Sequence, residues 1–310
     1  MKKKILILAG GISKERLISL DTGLQVAKEL KKNGYKILSS QHNMKGFLYE
    51  DNKKVSSLGI VVPYKKKSWL IDATPDFAEQ YYILEEIHKT KIEGIFLSHA
   101  HIGHYSGLMQ LGREVMGTKS MPVFSMPLMK DFLTNNAPWS QLVNLKNIVF
   151  TNLVKDKEIK LEQDLIIEPI LVPHRDEFSE TIGFKIMGKN NSLVYIPDID
   201  KWNIWERDIV KIILNNDFVL IDGTFYTDDE IPDRNMSEIP HPFIYESIKL
   251  FSNLGRDHRS KIFFTHLNHT NPAIVENSAA YNFILSKVGP VKFGQPYCKS
   301  VLFFCYEMPI

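Results

Sequence analysis

Short apolar runs alternate along the chain with stretches in which apolar residues recur three and four positions apart. The runs are rich in β-branched and aromatic residues and predict buried strands, whereas the helical spacing predicts amphipathic helices. Strands are predicted over 57–62, 68–71, 94–97, 122–125, 147–153, 165–172, 182–187, 192–196, 217–222, 261–266 and 300–306. Helices are predicted over 77–88, 104–114, 128–134, 139–145, 203–215, 242–253 and 276–287. Strands in series flanked by helices favour an α/β (α+β) fold, a four-layer αββα sandwich.

The N-terminal segment has a pattern of its own. It predicts a strand, a tight turn, an amphipathic helix and a second strand, over 4–9, 10–13, 17–32 and 35–39 respectively. That order is typical of a βαβ unit. We therefore expect a short appended βαβ segment over residues 1–43 and one larger domain over residues 44–310.

Residues 97–108, LSHAHIGHYSGL, place His99, His101 and His104 in one loop directly after a predicted strand. Residues two apart in an extended segment point to the same side, so His99 and His101 can share a partner, and His104 lies near the start of the next helix. A single histidine in such a place is most often an exposed polar side chain. Three so close together, among ten in the chain, favour a metal site, since neutral imidazole is the commonest metal ligand.

Four later strands also end in a histidine or an aspartate: His174, Asp198, Asp222 and His266. A catalytic metal needs ligands from several strand ends, carried on loops above a rigid sheet. Strand-end position also favours Asp198 over Asp200 and His266 over His269, with His269 left as a residue that could face a substrate.

Composition narrows the class of protein without choosing a function. Of the 310 residues 44% are hydrophobic and 24% charged, which is typical of a globular protein, and the net charge of +2 gives no indication of nucleic-acid binding. No apolar run reaches the length of a membrane span, and the N-terminal apolar stretch is too short for a signal peptide. With only two cysteines, Cys298 and Cys305, we expect a cytoplasmic protein without disulfides.

The N-terminal stretch LAGGISKERLISLDTGLQVAKELKKNGYKI resembles the opening of D-alanine–D-alanine ligases of the ATP-grasp superfamily. In that family the glutamate that matches Glu15 helps to hold the ammonium group of the first substrate. The resemblance covers residues 1–39 only, and the later lysines, glycine loop and metal carboxylates of ATP-grasp enzymes are missing. We therefore expect no ligase activity, and a segment that serves at most in packing or as an interface.

The histidine loop and the strand-end residues together resemble the metallo-β-lactamase superfamily. Over about residues 56–310 the chain is further similar to the family of coenzyme PQQ synthesis protein B (PqqB) and its relatives. The segments that carry this similarity are IDATPDF (71–77), HAHIGHYSGLMQLGREVMG (99–117), NNAPWSQLVNLKNI (135–148), VPHRDEFSETIGF (172–184), DGTFYTDDEI (222–231) and HLNHTNP (266–272). The resemblance implies the sandwich fold and a metal centre.

Individual roles follow from this resemblance. It implies that a first metal ion is bound by His99, His101 and His174 and a second one by His104 and His266, with Asp198 bridging the two. It further implies that Asp72 braces the histidine loop and that Asp222 orients a ligand histidine without binding the metal itself. The remaining histidines, His42, His88, His241 and His258, have no such setting, and we expect them to be ordinary surface residues.

Gly103 departs from the family pattern. The usual loop is HxHxDH, so Gly103 replaces an aspartate that binds the second metal ion. We therefore expect one full metal site and a second, partial one, with Asp176 as the candidate to replace the lost carboxylate. PqqB proteins typically lack histidines at the positions of His99 and His101, so the metal chemistry is expected to be nearer to that of the hydrolases.

The favoured function is metal-dependent hydrolysis, with zinc as the expected metal and iron or manganese as alternatives. The substrate would be a small ester, lactone, amide or phosphodiester, small-molecule or peptide-derived, with Asp198, Asp176 and His269 managing protons. The alternative that the PqqB resemblance implies is an iron- and oxygen-dependent hydroxylase in pyrroloquinoline quinone (PQQ) biosynthesis, and a third is a non-catalytic carrier. No nucleic-acid or membrane partner is expected, and a homodimer is left open.

Overall fold

Two strands near the N-terminus form a small parallel sheet. In the computed structural model, residues 4–7, 32, 36–39, 54–231, 235–288 and 302–305 are described, of which 4–7, 36–39, 237 and 302–305 by their backbone alone. The chain divides into the units Met1–Lys54 and Val55–Ile310. In the first unit β1 (Lys4–Ile7) pairs with β2 (Lys36–Ser39) in parallel. The predicted turn 10–13, most of the predicted helix and the boundary near residue 43 lie outside the described residues.

The second unit contains two six-stranded sheets. Their strands are β3 (Leu58–Val62), β4 (Lys67–Ile71), β5 (Lys91–Phe96), β6 (Met121–Ser125), β7 (Ile148–Asn152), β8 (Ile159–Glu162), β9 (Leu165–Leu171), β10 (Ile182–Met187), β11 (Ser192–Ile196), β12 (Phe218–Asp222), β13 (Ile262–Thr265) and β14 (Leu302–Cys305). The first sheet has the order β14-β3-β4-β5-β6-β7 and the second the order β13-β12-β11-β10-β9-β8. Each sheet contains a run of parallel strands, β4 to β7 in the first and β11 to β13 in the second.

Helices and single turns connect these strands. The α-helices are α1 (Phe77–Tyr82), α2 (Ile102–Tyr105), α3 (Pro127–Asn135), α4 (Trp139–Asn144), α5 (Ile209–Leu214), α6 (Ile244–Leu250), α7 (Arg256–Arg259) and α8 (Ala279–Lys287). Side-chain caps fix two of their starts: Asp208 accepts from the backbone N–H groups of Val210 and Lys211 at α5, and Ser278 accepts from that of Tyr281 at α8. Each cap satisfies N–H groups that have no partner within the helix.

Three hydrophobic clusters give the molecule its layers. The inner cluster lies between the sheets and contains Phe96, Phe184 and Tyr195 from both of them. A second cluster packs α1, α3 and α4 on the outer face of the first sheet, and a third packs α5, α6 and α8 on the outer face of the second. Successive residues of a strand face opposite sides, so strands buried on both faces read as continuous apolar runs. The predicted αββα sandwich is confirmed.

Several elements differ from the prediction. The single helix expected over 104–114 is the short α2 followed by a 3-10 stretch, Ser106–Leu111, because the backbone of Tyr105, where they meet, is not helical (φ −134°, ψ −11°). The expected helix 77–88 ends as a π-helical turn, Ile83–Ile87. Strand β8 and helix α7 were missed, since both are short and largely polar or half-exposed. In the described part of the chain, no helix has the length and apolar character that a membrane span requires.

Candidate metal centre

Asp198 lies at the centre of the site, two residues past the end of β11, and is buried. Its Oδ2 is 3.3 Å from His99 Nε2, 3.2 Å from His104 Nε2 and 3.4 Å from His266 Nε2. Its Oδ1 is 3.7 Å from His174 Nε2. Imidazoles carried by three different strand ends therefore converge on one carboxylate, as the strand-end pattern led us to expect.

These side chains form two overlapping groups. Potential ligand atoms of His99, His101, His174 and Asp198 all lie within 4.8 Å of one another, and so do those of His104, Asp198 and His266. We call the first group the first metal position and the second group the second metal position. Asp198 belongs to both.

Asp72, which follows β4 and is fully buried, orients two of the imidazoles. Its Oδ2 accepts from His104 Nδ1 at 2.8 Å and from the Ser98 hydroxyl at 2.9 Å, and its Oδ1 accepts from the Ser98 backbone N–H. Because the Ser98 hydroxyl donates its hydrogen bond to Asp72, it can only accept one from His99 Nδ1, 2.9 Å away. Both histidines thus carry a proton on Nδ1, which leaves Nε2 as the nitrogen for a ligand bond.

The second sheet provides the same arrangement at two more histidines. The Thr224 hydroxyl donates to Asp222 Oδ1 at 2.7 Å and accepts from His266 Nδ1 at 2.9 Å. His174 Nδ1 donates to Asp200 Oδ1 at 2.9 Å. Nε2 is again the nitrogen left for a ligand bond. Asp200, which the sequence analysis set below Asp198, is therefore the carboxylate that holds His174 in place.

His101 is oriented through its other nitrogen. Its Nε2 lies 3.3 Å from a carboxylate oxygen of Glu177, so Nδ1 is the atom that remains for a ligand bond. His101 is less buried than its neighbours, and the Glu177 side chain is 48% exposed. This hydrogen bond therefore constrains His101 less than the buried aspartates constrain the other rings.

The donor set fits a divalent metal ion. The buried polar atoms that make no hydrogen bond include three of this site, His99 Nε2, His174 Nε2 and Asp198 Oδ1. Their residues belong to one group of potential ligands, so a shared metal ion would satisfy all three atoms. His104 Nε2 and His266 Nε2 are 3.1 Å apart, and two lone pairs at that distance need a shared cation, either a proton or a metal ion. Imidazole and carboxylate ligands suit zinc, iron and manganese.

The two metal positions differ in the charge of one histidine, His104, since burial lowers the pKa of its neighbour His266 as it does at the first metal position. Burial lowers the pKa of His99 well below its ordinary value and also lowers that of His101. Burial opposes the charged form of His104 too, but the charges and hydrogen bonds of Asp72 and Asp198 outweigh it and raise its pKa to about 10. Burial likewise disfavours the Asp198 carboxylate, yet the imidazoles of His266, His104 and His99 hold its pKa well below its usual range. Asp198 is therefore ionised across the neutral range.

His241 is the residue that the sequence analysis missed. It was expected at the surface, but it is buried beside Asp222, whose Oδ2 accepts from His241 Nδ1 at 2.7 Å. Its Nδ1 also lies 3.3 Å from Asp198 Oδ1, so Asp198, Asp222 and His241 form a third group of potential ligands. His241 does not follow a strand, and the local signal is its place between Pro240 and Pro242, which restrict the backbone on both sides.

Two of the residues predicted to manage protons, Asp176 and His269, lie outside these three groups. Asp176 is exposed and accepts a hydrogen bond from the Thr181 hydroxyl, and it does not contribute a carboxylate beside His104 and His266. His269 is exposed on the loop after His266. The structure therefore does not bring Asp176 to the place of the aspartate that Gly103 replaces.

A cleft of about 650 Å³ is lined by residues that follow the site residues in sequence, but by none of the metal-position residues themselves. Lys201, which follows Asp200, and Pro242, which follows His241, both line it, together with Trp202. Its volume falls in the range of small-molecule binding pockets. Lys201 itself pairs with Glu246 and lies over the Phe243 ring, so its charge is already balanced.

The sequence profile of the family described as "Beta-lactamase superfamily domain" matches residues 68–267, more than half of the chain. Together with the αββα sandwich, this match shows that the chain belongs to the metallo-β-lactamase superfamily. Coenzyme PQQ synthesis protein B of Acinetobacter baumannii (strain ACICU) is 25% identical over 239 residues, which cover 68% of this chain and 77% of that protein. Within the superfamily the chain is therefore PqqB-like.

A solved structure supports the same fold. Zn²⁺-bound PqqB from Methylobacterium extorquens superposes with a TM-score of 0.60 over 80% of this chain and 84% of that one. The two sequences are 17% identical, so this likeness concerns the fold.

The D-alanine–D-alanine ligase of Pelagibacter ubique (strain HTCC1062) is also a relative. It is 30% identical over 223 residues, 70% of this chain and 62% of that protein, so this chain spans less than two thirds of the ligase's length. The aligned stretch is longer than residues 1–39, to which the sequence analysis confined this resemblance. The fold described for 55–288 is nevertheless the two-sheet sandwich, and the superfamily match lies within it.

Proposed function

We propose that the protein is a metal-dependent hydrolase whose first metal position is filled and whose second is partly filled. One observation carries this proposal. At all five histidines of the two metal positions, one ring nitrogen is engaged by a carboxylate, directly or through a hydroxyl, which leaves the other nitrogen for a ligand bond. Such outer hydrogen bonds fix the tautomer and the orientation of metal-binding histidines.

A bound zinc ion would supply a Lewis acid and make hydroxide available near neutral pH. The residues would orient the reactants around it. Asp198 stays ionised, and its Oδ1 can accept a hydrogen bond from the attacking nucleophile. The substrate would be a small ester, lactone, amide or phosphodiester, or a peptide-derived molecule. His269 and Asp176 remain candidates for contact with such a substrate, since both are exposed on loops that follow site histidines.

Metal content tests this proposal first. Protein purified without added metal should carry at least one tightly bound equivalent of zinc, iron or manganese, measured by elemental analysis. His99→Ala should lose most of it, because His99 is an inner ligand, and His269→Ala should keep it. A wild-type content below about a tenth of an equivalent, even after reconstitution, would refute the metal centre.

The second candidate is an iron- and oxygen-dependent hydroxylase in PQQ biosynthesis. It is favoured by the similarity to coenzyme PQQ synthesis protein B, whose name places that protein in PQQ synthesis. Histidine and carboxylate ligands suit iron as well as zinc. Activity that the zinc form shows equally in air and under anaerobic conditions would support the hydrolase, whereas activity that needs both iron and oxygen would support the hydroxylase.

A further inference from the structure

We infer that His241 is a positioning residue of the metal centre, which links Asp222 to Asp198 through its Nδ1 and thereby fixes the orientation of the Asp198 carboxylate. The inference rests on the metal centre proposed above and adds a residue to it.

The contacts around His241 form a closed ring. Asp222 Oδ2 accepts from His241 Nδ1 at 2.7 Å and from the backbone N–H of Ile199 at 3.1 Å. Ile199 directly follows Asp198, and His241 Nδ1 lies 3.3 Å from Asp198 Oδ1. Asp222 thus holds the backbone next to Asp198, and His241 faces the carboxylate of the same residue.

Asp198 needs such a partner because a carboxylate rotates easily about its last side-chain bond. Three imidazoles surround its Oδ2, but Oδ1 faces only two ring nitrogens among the described residues, those of His174 and His241. His174 gives its Nδ1 proton to Asp200, so its Nε2 presents a lone pair. His241 Nδ1 carries the proton that it donates to Asp222. It makes no hydrogen bond to Asp198, but the partial positive charge of this N–H lies 3.3 Å from Oδ1 and favours the negative charge there.

The two buried aspartates, Asp72 and Asp222, make the same pattern of hydrogen bonds to histidines. By this pattern His241 corresponds to His104. Asp72 binds one imidazole directly, His104, and a second one through the Ser98 hydroxyl. Asp222 binds one imidazole directly, His241, and a second one through the Thr224 hydroxyl. Three of these four imidazoles face Asp198 Oδ2, and the fourth, His241, faces Oδ1.

If the Asp198 carboxylate were no longer held in one orientation, metal affinity should fall most at the second metal position. It has only two histidines beside that carboxylate, whereas the first metal position has three. Loss of a supporting hydrogen bond behind a ligand typically weakens metal binding about 10–100-fold. We expect this loss at the second metal position, with the first one nearly unchanged.

Two variants of His241 show which of its ring nitrogens, Nδ1 or Nε2, supports the metal centre. Asn places its amide N–H groups near the position of Nδ1, and Gln places them near that of Nε2. His241→Asn should keep the second equivalent of Co²⁺ and its visible spectrum, whereas His241→Gln should bind the second equivalent about 10–100-fold more weakly with an altered spectrum. His258→Asn, in α7 and outside the three ligand groups, is the matched control. Circular dichroism of the metal-free proteins checks that each variant folds.

The outcomes separate this inference from the proposed function. If both variants bind the second equivalent as the wild type does, or if Gln preserves binding and Asn does not, His241 does not act through Nδ1 and the inference is wrong. If the wild type binds no Co²⁺ at all, the metal centre itself is refuted and the inference falls with it. A weakened second equivalent in Gln alone supports both.

Discussion

The two metal positions share Asp198 but are built differently. The first has three histidines, of which two are oriented by nearby carboxylates and one by a serine hydroxyl. The second has two histidines, and Gly103 stands where the family pattern has an aspartate. One carboxylate is therefore one ligand of four at the first metal position and one of three at the second. The comparison predicts unequal metal binding at two positions that lie side by side.

The largest expected effect follows from removing the shared ligand. Asp198→Ala should abolish binding at the second metal position, which would keep only two histidines, and weaken the first at least tenfold or so, as loss of a ligand does. Isothermal titration calorimetry with Zn²⁺ should show one weak equivalent. Asp200→Asn is the matched control. Among the described residues the Asp200 carboxylate is hydrogen-bonded to His174 alone, so this variant should weaken the first equivalent only.

Two undiminished equivalents in Asp198→Ala would show that other groups complete both sites. If only the first equivalent is undiminished, three histidines suffice at the first metal position. The dependence on Asp198 would then hold for the second metal position alone.

A smaller effect is expected from pH. His104 in the metal-free protein has a pKa of about 10, so near pH 7 a metal ion must displace its proton. Protons therefore compete at the second metal position, and its affinity should rise about tenfold per pH unit as the pH rises toward 10. The pKa values of His99 and His101 are lowered instead, so protons compete less with a metal ion at these two ligands. The affinity of the first metal position should therefore depend less on pH.

Chelator competition at pH 6.5, 7.5 and 8.5 measures this difference. The second equivalent should be released readily at the lowest pH and retained at the highest. Proton release on binding, measured in weakly buffered solution, should accompany the second equivalent. Parallel pH profiles for the two equivalents would contradict the assigned charge of His104.

The same comparison explains what could be predicted from the sequence. Around Asp72 the partners are neighbours in one loop, since Ser98, His99 and His104 lie within seven residues of sequence, and this cluster stands out by its spacing. The αββα layers could also be predicted, because strands buried on both faces give continuous apolar runs.

Around Asp222 the partners come from separate segments. Thr224, Ile199, His241 and His266 meet only because β11, β12 and β13 are adjacent in the second sheet. Searching for polar residues directly after predicted strands finds His266 but not His241, because His241 lies just before a helix. Asp176 was a candidate for the opposite reason: it is close to His174 in sequence, but its carboxylate bonds to Thr181. The spacing of residues in the sequence predicts contacts within one loop, but it does not predict which residues of separate strands meet in a sheet.

The smallest effect is expected at Gly103, where the missing ligand can be restored. Among the described residues, a Cβ there would meet Val55 Cγ1 alone, at 3.8 Å, which is an ordinary contact. The backbone is not in the left-handed conformation that would demand glycine. Gly103 lies in the first turn of α2, where an acidic side chain interacts favourably with the helix dipole. Neither sterics nor backbone strain therefore opposes an aspartate.

Gly103→Asp should raise occupancy of the second metal position by a few-fold and narrow its difference from the first. Without metal, the new carboxylate would lie near the ionised Asp198, and like charges repel, so the metal-free variant should melt at a lower temperature than the wild type. Gly103→Ala separates the ligand from the backbone effect, because it adds the Cβ without the carboxylate. A larger gain in melting temperature on adding Zn²⁺ for Asp than for Ala would show that the carboxylate reaches the metal. Equal gains would mean that this position of the loop faces away from the site, and that the inequality of the two metal positions has another origin.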